Sequence, residues 1–391
     1  MIRFKASFLN THLFHNTAKW GGKPLGFVYR DPERTDAITQ MIRESDDDVW
    51  LLAEVWDENV GKSIAKNVRT QFPHAAHSPY HKGFDDFRMR LDRVLKRDVA
   101  KAWEDRQWGR IASLMLFQGM VVFVDGNIEF FTRYLAGNHF SRSLNASQKK
   151  SLISGLLQFG VTKEHLNNLV DYTVSSVALD GPCWGGGLLL LSRHPFEEEP
   201  RFTPFPPEAK AEYERIANKG VLEASLSLPQ GIRLGLFLTH FQEGESPVAI
   251  SARQAEMEFL GACTEKEPDK PKLILGDCNV TAEKRFPKKT GRKRATREYI
   301  RLMEKLKAVD VFRDLYPSAD EIPGFTWIPG TRIEEALNGP GGEKREGVRI
   351  DYIFRKGNLK TIHAESRPLT FSSGEHASDH CLVRGEFEIP G

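Results

Sequence analysis

Short apolar runs of strand character alternate with helix-period segments over most of this 391-residue chain, a mixture that predicts an α/β or α+β layered domain. Two patterns and the composition carry that reading. Runs over 2–9, 49–53, 188–191, 220–228, 233–238, 272–275, 350–354 and 381–387 are bounded by Gly, Pro, Asp and Asn, as strands of a compact domain are. Between them, Thr35 stands where it caps a helix whose Ile38, Met41 and Ile42 share one face. Val60, Ile64 and Val68 repeat at i, i+4 and i+8, and a third helix is expected over 253–263. With 40% hydrophobic and 28% charged residues, the chain has the material for a sizeable core and is not of the disordered class.

Composition excludes some functions. Lys and Arg total 55 against 53 Asp and Glu, so a strongly cationic nucleic-acid coat is ruled out, although a local basic patch is not. Four cysteines in a chain this long are no disulfide scaffold and point to a reducing compartment. The start MIRFKASFLN has no leader pattern, which favours a cytoplasmic or peripheral-membrane setting; secretion stays open because a leader could have been removed. The longest apolar stretch, 111–124, has 14 residues, short of the roughly 20 that span a bilayer. Neither a P-loop nor a GxGxxG after a strand is present, against nucleotide-driven or dinucleotide chemistry.

Residues 81–182 break the strand rhythm. Leu91, Val94, Leu95, Val99, Ala102 and Trp103 form a helical stripe; Phe130, Phe131, Tyr134 and Leu135 follow the apolar run. Thr162 is placed to cap a further helix burying Leu166, Leu169 and Val170. The segment reads as a large helical insertion, either a structural bundle or, because it is dense in Phe, Met and Trp, a lid or membrane-docking element. It divides the remaining chain into 1–80 and 183–391, read together as one catalytic domain. Asp125-Gly126-Asn127-Ile128 imitates the middle of a calcium loop, but Val121, Phe123 and Thr132 then stand where ligand oxygens and the closing Glu belong, and the reading fails. The run 284–297 holds eight Lys and Arg and no acid, and reads as a solvated loop or a contact for phosphate-rich surfaces.

Polar groups punctuate the strands in a selective way. FLN ends at Asn10, WLLAE at Glu54, LFLTH at His240 and LILGDCN at Asp277 and Asn279; RIDYIF and SDHCLV place Asp351, Asp379 and His380 at or before strand starts. Where neighbouring strands run antiparallel, the end of one lies beside the start of the next, so these groups are expected on one rim. Oxygen donors from Asn10 and Glu54 suit a hard cation such as Mg²⁺, with Mn²⁺ or Co²⁺ as substitutes. No second imidazole reads as spaced for zinc. Histidines beside carboxylates supply groups that titrate near neutrality. Together they fit metal-assisted attack of water on a phosphate ester.

In its order and spacing, the set Asn10, Glu54, Thr239-His240, Gly276-Asp277-Cys278-Asn279, Ile350-Asp351-Tyr352 and Ser378-Asp379-His380 resembles the endonuclease/exonuclease/phosphatase superfamily. That resemblance implies a four-layer α/β sandwich, two packed mixed β-sheets flanked by helices, carrying a divalent-metal phosphoesterase site. Three further segments resemble the neutral and bacterial sphingomyelinase branch: Gly186-Gly187-Leu188 through Leu191-Ser192-Arg193-His194-Pro195, then Lys219-Gly220-Val221, then Thr239-His240-Phe241-Gln242 followed by Arg253-Gln254. Ala53, Cys278, Cys381-Leu382 and Ile328 depart from the branch pattern. The resemblance implies Glu54 and Asn10 as metal ligands and His380 as general base oriented by Asp351. Asp277 and Asn279 would orient water and a phosphoryl oxygen. His240 would bond the phosphate or protonate the leaving oxygen, Asp379 would support a metal or the loop, and Lys219 would bring a cation to the phosphate. The expected activity is a phospholipase-C-type phosphodiesterase that cleaves sphingomyelin or a related phospholipid at a membrane surface. A nuclease, a phosphoinositide-type phosphatase of the same superfamily and a catalytically dead scaffold are the alternatives. Nucleic acid is the weaker partner on net charge.

Overall fold

The computed structural model describes residues 1–13, 30–79, 185–211, 217–285, 293–333 and 346–390, with backbone alone at 19–20 and 23–24 and isolated positions between 93 and 105. Apart from those isolated positions, the expected insertion over 81–182, with its stripe, its Thr162-capped helix and the rejected calcium loop, lies outside the described residues. So does the middle of the basic run, 286–292.

In chain order the first half comprises β1 (Ile2–Leu13), the short β2 (Lys19–Trp20) and β3 (Lys23–Pro24), α1 (Asp31–Glu44), β4 (Val49–Val55), α2 (Glu58–Asn67), β5 (His74–His77), β6 (Leu189–Ser192) and β7 (Arg201–Pro204). Then come β8 (Gly220–Ser227), β9 (Arg233–His240), α3 (Pro247–Thr264), β10 (Lys272–Asp277), β11 (Glu283–Arg285), β12 (Lys293–Ala295), α4 (Arg297–Leu306), β13 (Val309–Asp310) and α5 (Val311–Leu315). The chain closes with β14 (Asp351–Lys356), β15 (Lys360–Thr370) and β16 (His376–Ile389).

Two six-stranded mixed sheets result, ordered β15-β16-β1-β4-β6-β5 and β13-β14-β10-β9-β8-β7. Each has one parallel pair at its centre, β1 with β4 and β9 with β10, and antiparallel neighbours elsewhere. Strand alternation sorts the side chains. Phe4, Ala6, Phe8, Leu51 and Ala53 of the first sheet pack against Leu222, Ala224, Leu236, Leu238, Leu273 and Leu275 of the second, all buried. On the outer face of the first sheet, Leu9, Trp50 and Leu52 meet Ile38 and Ile42 of α1 and Val60 and Ile64 of α2. On the outer face of the second, Phe237, Ile274 and Phe354 meet Met257 and Leu260 of α3 and Leu302 and Leu306 of α4. Helix, sheet, sheet and helix form the four-layer sandwich expected.

Several local expectations change. Thr35 does not cap α1: the helix begins at Asp31 with Pro32 in its first turn, and the Thr35 hydroxyl donates back to the Asp31 carbonyl at 2.7 Å. Proline supplies the helical φ at no hydrogen-bond cost there, which moves the start upstream. The third helix starts at Pro247, capped by the Ser246 hydroxyl, six positions ahead of the expected Arg253. The basic run is not one loop in its described part, since its two ends pair as β11 and β12 and its last residue opens α4. Among the described residues no helix is long and apolar enough to cross a membrane.

Gly276 fixes how closely the central parallel pair of the second sheet approaches. A Cβ there would stand 2.4 Å from the Thr239 carbonyl oxygen and 2.8 Å from its Cγ2. Backbone has to yield, so Gly276→Ala is expected to destabilise by about 1–3 kcal/mol, the usual range for overpacking. Urea unfolding measures this, and an unchanged midpoint would show that β9 and β10 separate freely.

Candidate active site

Alternation that builds the core also delivers the site. Asn10 extends the row of Phe4, Ala6 and Phe8; His240 extends Leu234, Leu236 and Leu238; Asp277 extends Leu273 and Leu275. Because β1 and β4 run parallel, as do β9 and β10, Asn10 and Glu54 leave the first sheet at one end, and His240 faces Asp277 in register at the same end of the second. Asp351 enters antiparallel, paired with Asp277. The antiparallel argument thus accounts for Asp351, and parallel pairing accounts for the rest of the two central rows. All the expected residues lie within strands or within two positions of one, Asn279 two positions past β10 and Lys219 one before β8.

Glu54 is an exception to alternation. It would follow Leu52 outward, but its backbone is left-handed at φ 57°, which re-aims the carboxylate. His12 and Asn279 share that conformation at φ 49° each. Such backbone costs about 1–3 kcal/mol per non-glycine residue and persists where surrounding structure enforces it.

One amide joins the two sheets. Asn10 Nδ2 donates to Glu54 Oε1 at 2.8 Å and to Asp277 Oδ2 at 2.9 Å, all three residues being buried. Its Oδ1 accepts from the His12 N–H at 3.2 Å. Asn10 therefore presents its NH₂ to the carboxylates, and ligation through Oδ1 requires the amide to turn over. Asp277 Oδ1 accepts from the Asn279 N–H at 2.8 Å, and Asn279 Nδ2 donates to the Phe241 carbonyl at 3.1 Å. Lys219, 3% exposed, donates to the same carbonyl at 2.9 Å and sits with Nζ 3.2 Å from His240 Nε2. An ammonium offers only donors, so here Nε2 is the accepting nitrogen and the ring hydrogen resides on Nδ1.

On the other flank, His380 Nδ1 bonds Asp351 Oδ2 at 2.8 Å, and its Nε2 lies 3.9 Å from Asp277 Oδ2. Burial pulls the imidazole pKa down, but Asp351, then Asp379 and Asp277, raise it, and the net is well above the ordinary value. Asp351 is raised by burial, against the pull of His380. Asp277 is pushed up to about 8, first by burial and then by Asp351. Asp351 is itself held in place by the Thr326 hydroxyl, which accepts from the Asp351 N–H at 2.9 Å.

These residues fit a divalent cation. Glu54, His240 and Asp277 bring ligand atoms within 4.8 Å of one another, as do Asp277, Asp351 and His380. Asp351 Oδ1 and Asp379 Oδ1 are buried and take no hydrogen bond among the described residues. Crowded, buried carboxylate oxygens are stabilised by a cation more than by any neutral partner.

Sequence reasoning missed His12, Arg34 and Trp56. His12 Nδ1 lies 3.5 Å from Glu54 Oε2, a placement that the sequence reading did not assign. The sequence gives it no distinct signal, since a place two residues after Asn10 on the same strand parity is that of any strand residue. Arg34 of α1 is fully buried and donates to the carbonyls of Ala377 at 2.8 Å, His12 at 2.9 Å and Thr11, fastening both rim strands from behind. Trp56 Nε1 donates to Glu54 Oε2 at 3.4 Å, and a Cβ on the left-handed Gly187 would stand 3.0 Å from the indole.

A pH dependence of stability follows. With a pKa raised from 3.8 to about 8, the Asp277 carboxyl keeps its proton in the folded protein where the unfolded chain has released it. The folded state then binds more protons over that interval, and stability falls as pH rises through it. Metal-free Asp277→Asn is expected to unfold at a higher temperature than the parent at pH 8, with the gap closing toward pH 4. Equal midpoints at both pH values would contradict the buried, proton-holding carboxyl.

Comparison with known proteins agrees with this architecture. The family model described as Endonuclease/Exonuclease/phosphatase family matches residues 25–380. No curated protein matches the chain. Among solved structures, SmcL is similar at 17% identity over 99% of each chain, with a TM-score of 0.53. A beta toxin variant from Staphylococcus aureus with bound magnesium ions is 15% identical over 98% of this chain and 99% of its own, at TM-score 0.50. D. rerio TDP2 complexed with a single strand DNA product is 11% identical over 100% of both chains, at TM-score 0.52. At such identities the likeness concerns the fold, while the family match spans most of the sequence. The chain belongs to the endonuclease/exonuclease/phosphatase family, whose members are hydrolases acting on phosphoester bonds.

Proposed function

We propose that this protein is a divalent-metal phosphodiesterase of the phospholipase C type, acting on sphingomyelin or a related phospholipid with water as nucleophile. The observation that carries the hydrolytic reading is the His380–Asp351 bond at 2.8 Å, set beside the Glu54–Asn10–Asp277 bridge. A base needs an orienting partner on one ring nitrogen and an open lone pair on the other. Asp351 fixes hydrogen on Nδ1, leaving Nε2 to take the proton of an attacking water. A bound cation, with Mg²⁺ the expected species, supplies neutralisation of charge on the phosphoryl oxygens. Glu54 and Asp277 would hold it, with Asn10 if its amide turns over and Asp379 as support. Asn279, held at the rim by Phe241, orients water or a phosphoryl oxygen. Lys219 adds positive charge at the substrate end of His240 and competes with the expected role of that ring as proton donor.

The lipid reading rests on the three sphingomyelinase-like segments. The Lys-Gly-Val element gains weight from the place of Lys219, buried against His240. Near-balanced charge supports a zwitterionic or weakly anionic substrate over a polyanion. A second reading, endonuclease or exonuclease action on nucleic acid, is favoured by the fold likeness to TDP2 complexed with a single strand DNA product.

A substrate panel with Mg²⁺ separates them: sphingomyelin vesicles, lysophospholipid, a phosphoinositide and plasmid or single-stranded DNA. Release of phosphocholine from sphingomyelin, lost by about 10²–10⁴-fold in His380→Ala, is the expected result. Turnover of DNA alone, falling steeply with salt, would replace the lipid reading with the nuclease one.

A further inference from the structure

Trp56 stands outside every role assigned above, although it touches the expected metal ligand Glu54. The two oxygens of that carboxylate meet different neighbours. Oε1 accepts from Asn10 Nδ2 at 2.8 Å and lies 3.8 Å from His240 Nε2, which is itself 3.9 Å from Asp277 Oδ2. Oε2 accepts from the Trp56 indole N–H at 3.4 Å and has His12 Nδ1 3.5 Å away. One oxygen thus meets the ligand atoms grouped between the sheets, and the other meets the indole.

The indole is fixed in its turn. The Trp56 backbone N–H donates to the Leu13 carbonyl at 3.0 Å, and the Val55 N–H donates to the Gly187 carbonyl at 3.0 Å. Asp57 caps α2 immediately afterwards, its carboxylate accepting from the Asn59 and Val60 N–H groups at 2.7 and 3.2 Å. Gly187 is left-handed at φ 65°, and a Cβ there would stand 3.0–3.2 Å from three ring atoms, so glycine leaves the indole its place. The ring is nearly buried, with Trp56 7% exposed, and lies against His240 with centroids 6.2 Å apart.

We propose that Trp56 is a positioning residue of the cation site, its indole N–H holding Glu54 Oε2 so that Oε1 is presented to a divalent cation shared with Asp277. The inference rests on the metal-dependent reading above. A glutamate side chain loses rotamer freedom when it binds a cation, and a donor that holds one oxygen beforehand lowers that cost. The indole suits the task because its nitrogen only donates and carries no charge. It neither competes for the cation nor repels it, as a lysine or arginine in the same place would.

The test uses the full-length protein freed of metal, with MgCl₂ as the probe. Calorimetry gives the Mg²⁺ affinity of the parent, of Trp56→Phe and of Trp56→benzothienylalanine. The last keeps the shape of tryptophan with sulfur in place of N–H, so it answers where phenylalanine unsettles the packing. In ¹H–¹⁵N spectra the Trp56 indole resonance is identified by its absence from Trp56→Phe. Expected are a shift of that resonance on adding MgCl₂ and an affinity weaker by about tenfold or more in both variants, the usual cost of removing an outer partner of a metal ligand. A role in packing alone would leave the benzothienyl variant with the parental affinity. That result, in a parent that binds Mg²⁺, would overturn the role of Trp56 and spare the metal-dependent reading. Failure of the parent to bind Mg²⁺ would overturn both.

Discussion

Two buried carboxylates from opposite sheets, Glu54 and Asp277, share the NH₂ of Asn10, and the rim of the sandwich is organised around that contact. Burying like charges together is expensive, and a single amide compensates only part of the cost. Several neighbouring features answer the same constraint. Asp277 is pushed toward holding a proton, Asn279 offers it a backbone N–H, and Lys219 and three imidazoles close in from the sides. A centre so short of positive charge is suited to a cation and to an anionic group that brings the charge balance back, which is the requirement of phosphoester hydrolysis.

The fold supplies this arrangement through its two parallel pairs. In an all-antiparallel sheet, two neighbouring strand ends would fall on opposite edges; parallel pairing puts Asn10 beside Glu54's strand and His240 beside Asp277. Left-handed residues complete it where alternation alone fails, at His12, Glu54 and Asn279. Their concentration at one rim, away from glycine, is strain retained where geometry is needed. Arg34 reinforces the same rim from the helical layer, its guanidinium tied to the backbone of both β1 and β16.

Much of this was legible in the sequence because apolar runs that stop at Asn, Glu, His or Asp reveal both the strand and its functional end. Asn10, Glu54, His240, Asp277, Asp351 and His380 were found that way, and the structure gathers them. His12 was not, because alternation within FLNTHL makes it look like one more strand residue; its significance comes from a φ value that no local pattern encodes. Arg34 hid for a different reason, since a charged residue in a helix reads as solvated surface until tertiary packing buries it. The start of α4 was masked by the basic run, whose charge pattern resembles a loop although its Thr296 is a helix cap. Thr35 misled in the opposite direction, a capping residue type that sits one turn inside a proline-started helix.

The central claim is that the Glu54–Asp277 pair is completed by a divalent cation. Thermal unfolding of metal-free protein, with and without Mg²⁺ at about a hundredfold excess over Kd, tests it when set beside Glu54→Gln at the same Mg²⁺ concentration. The parent should gain about 2.7 kcal/mol of stability from the cation, and Glu54→Gln should gain little or none while remaining folded. An equal gain in both proteins would place the cation elsewhere and contradict this account of the site.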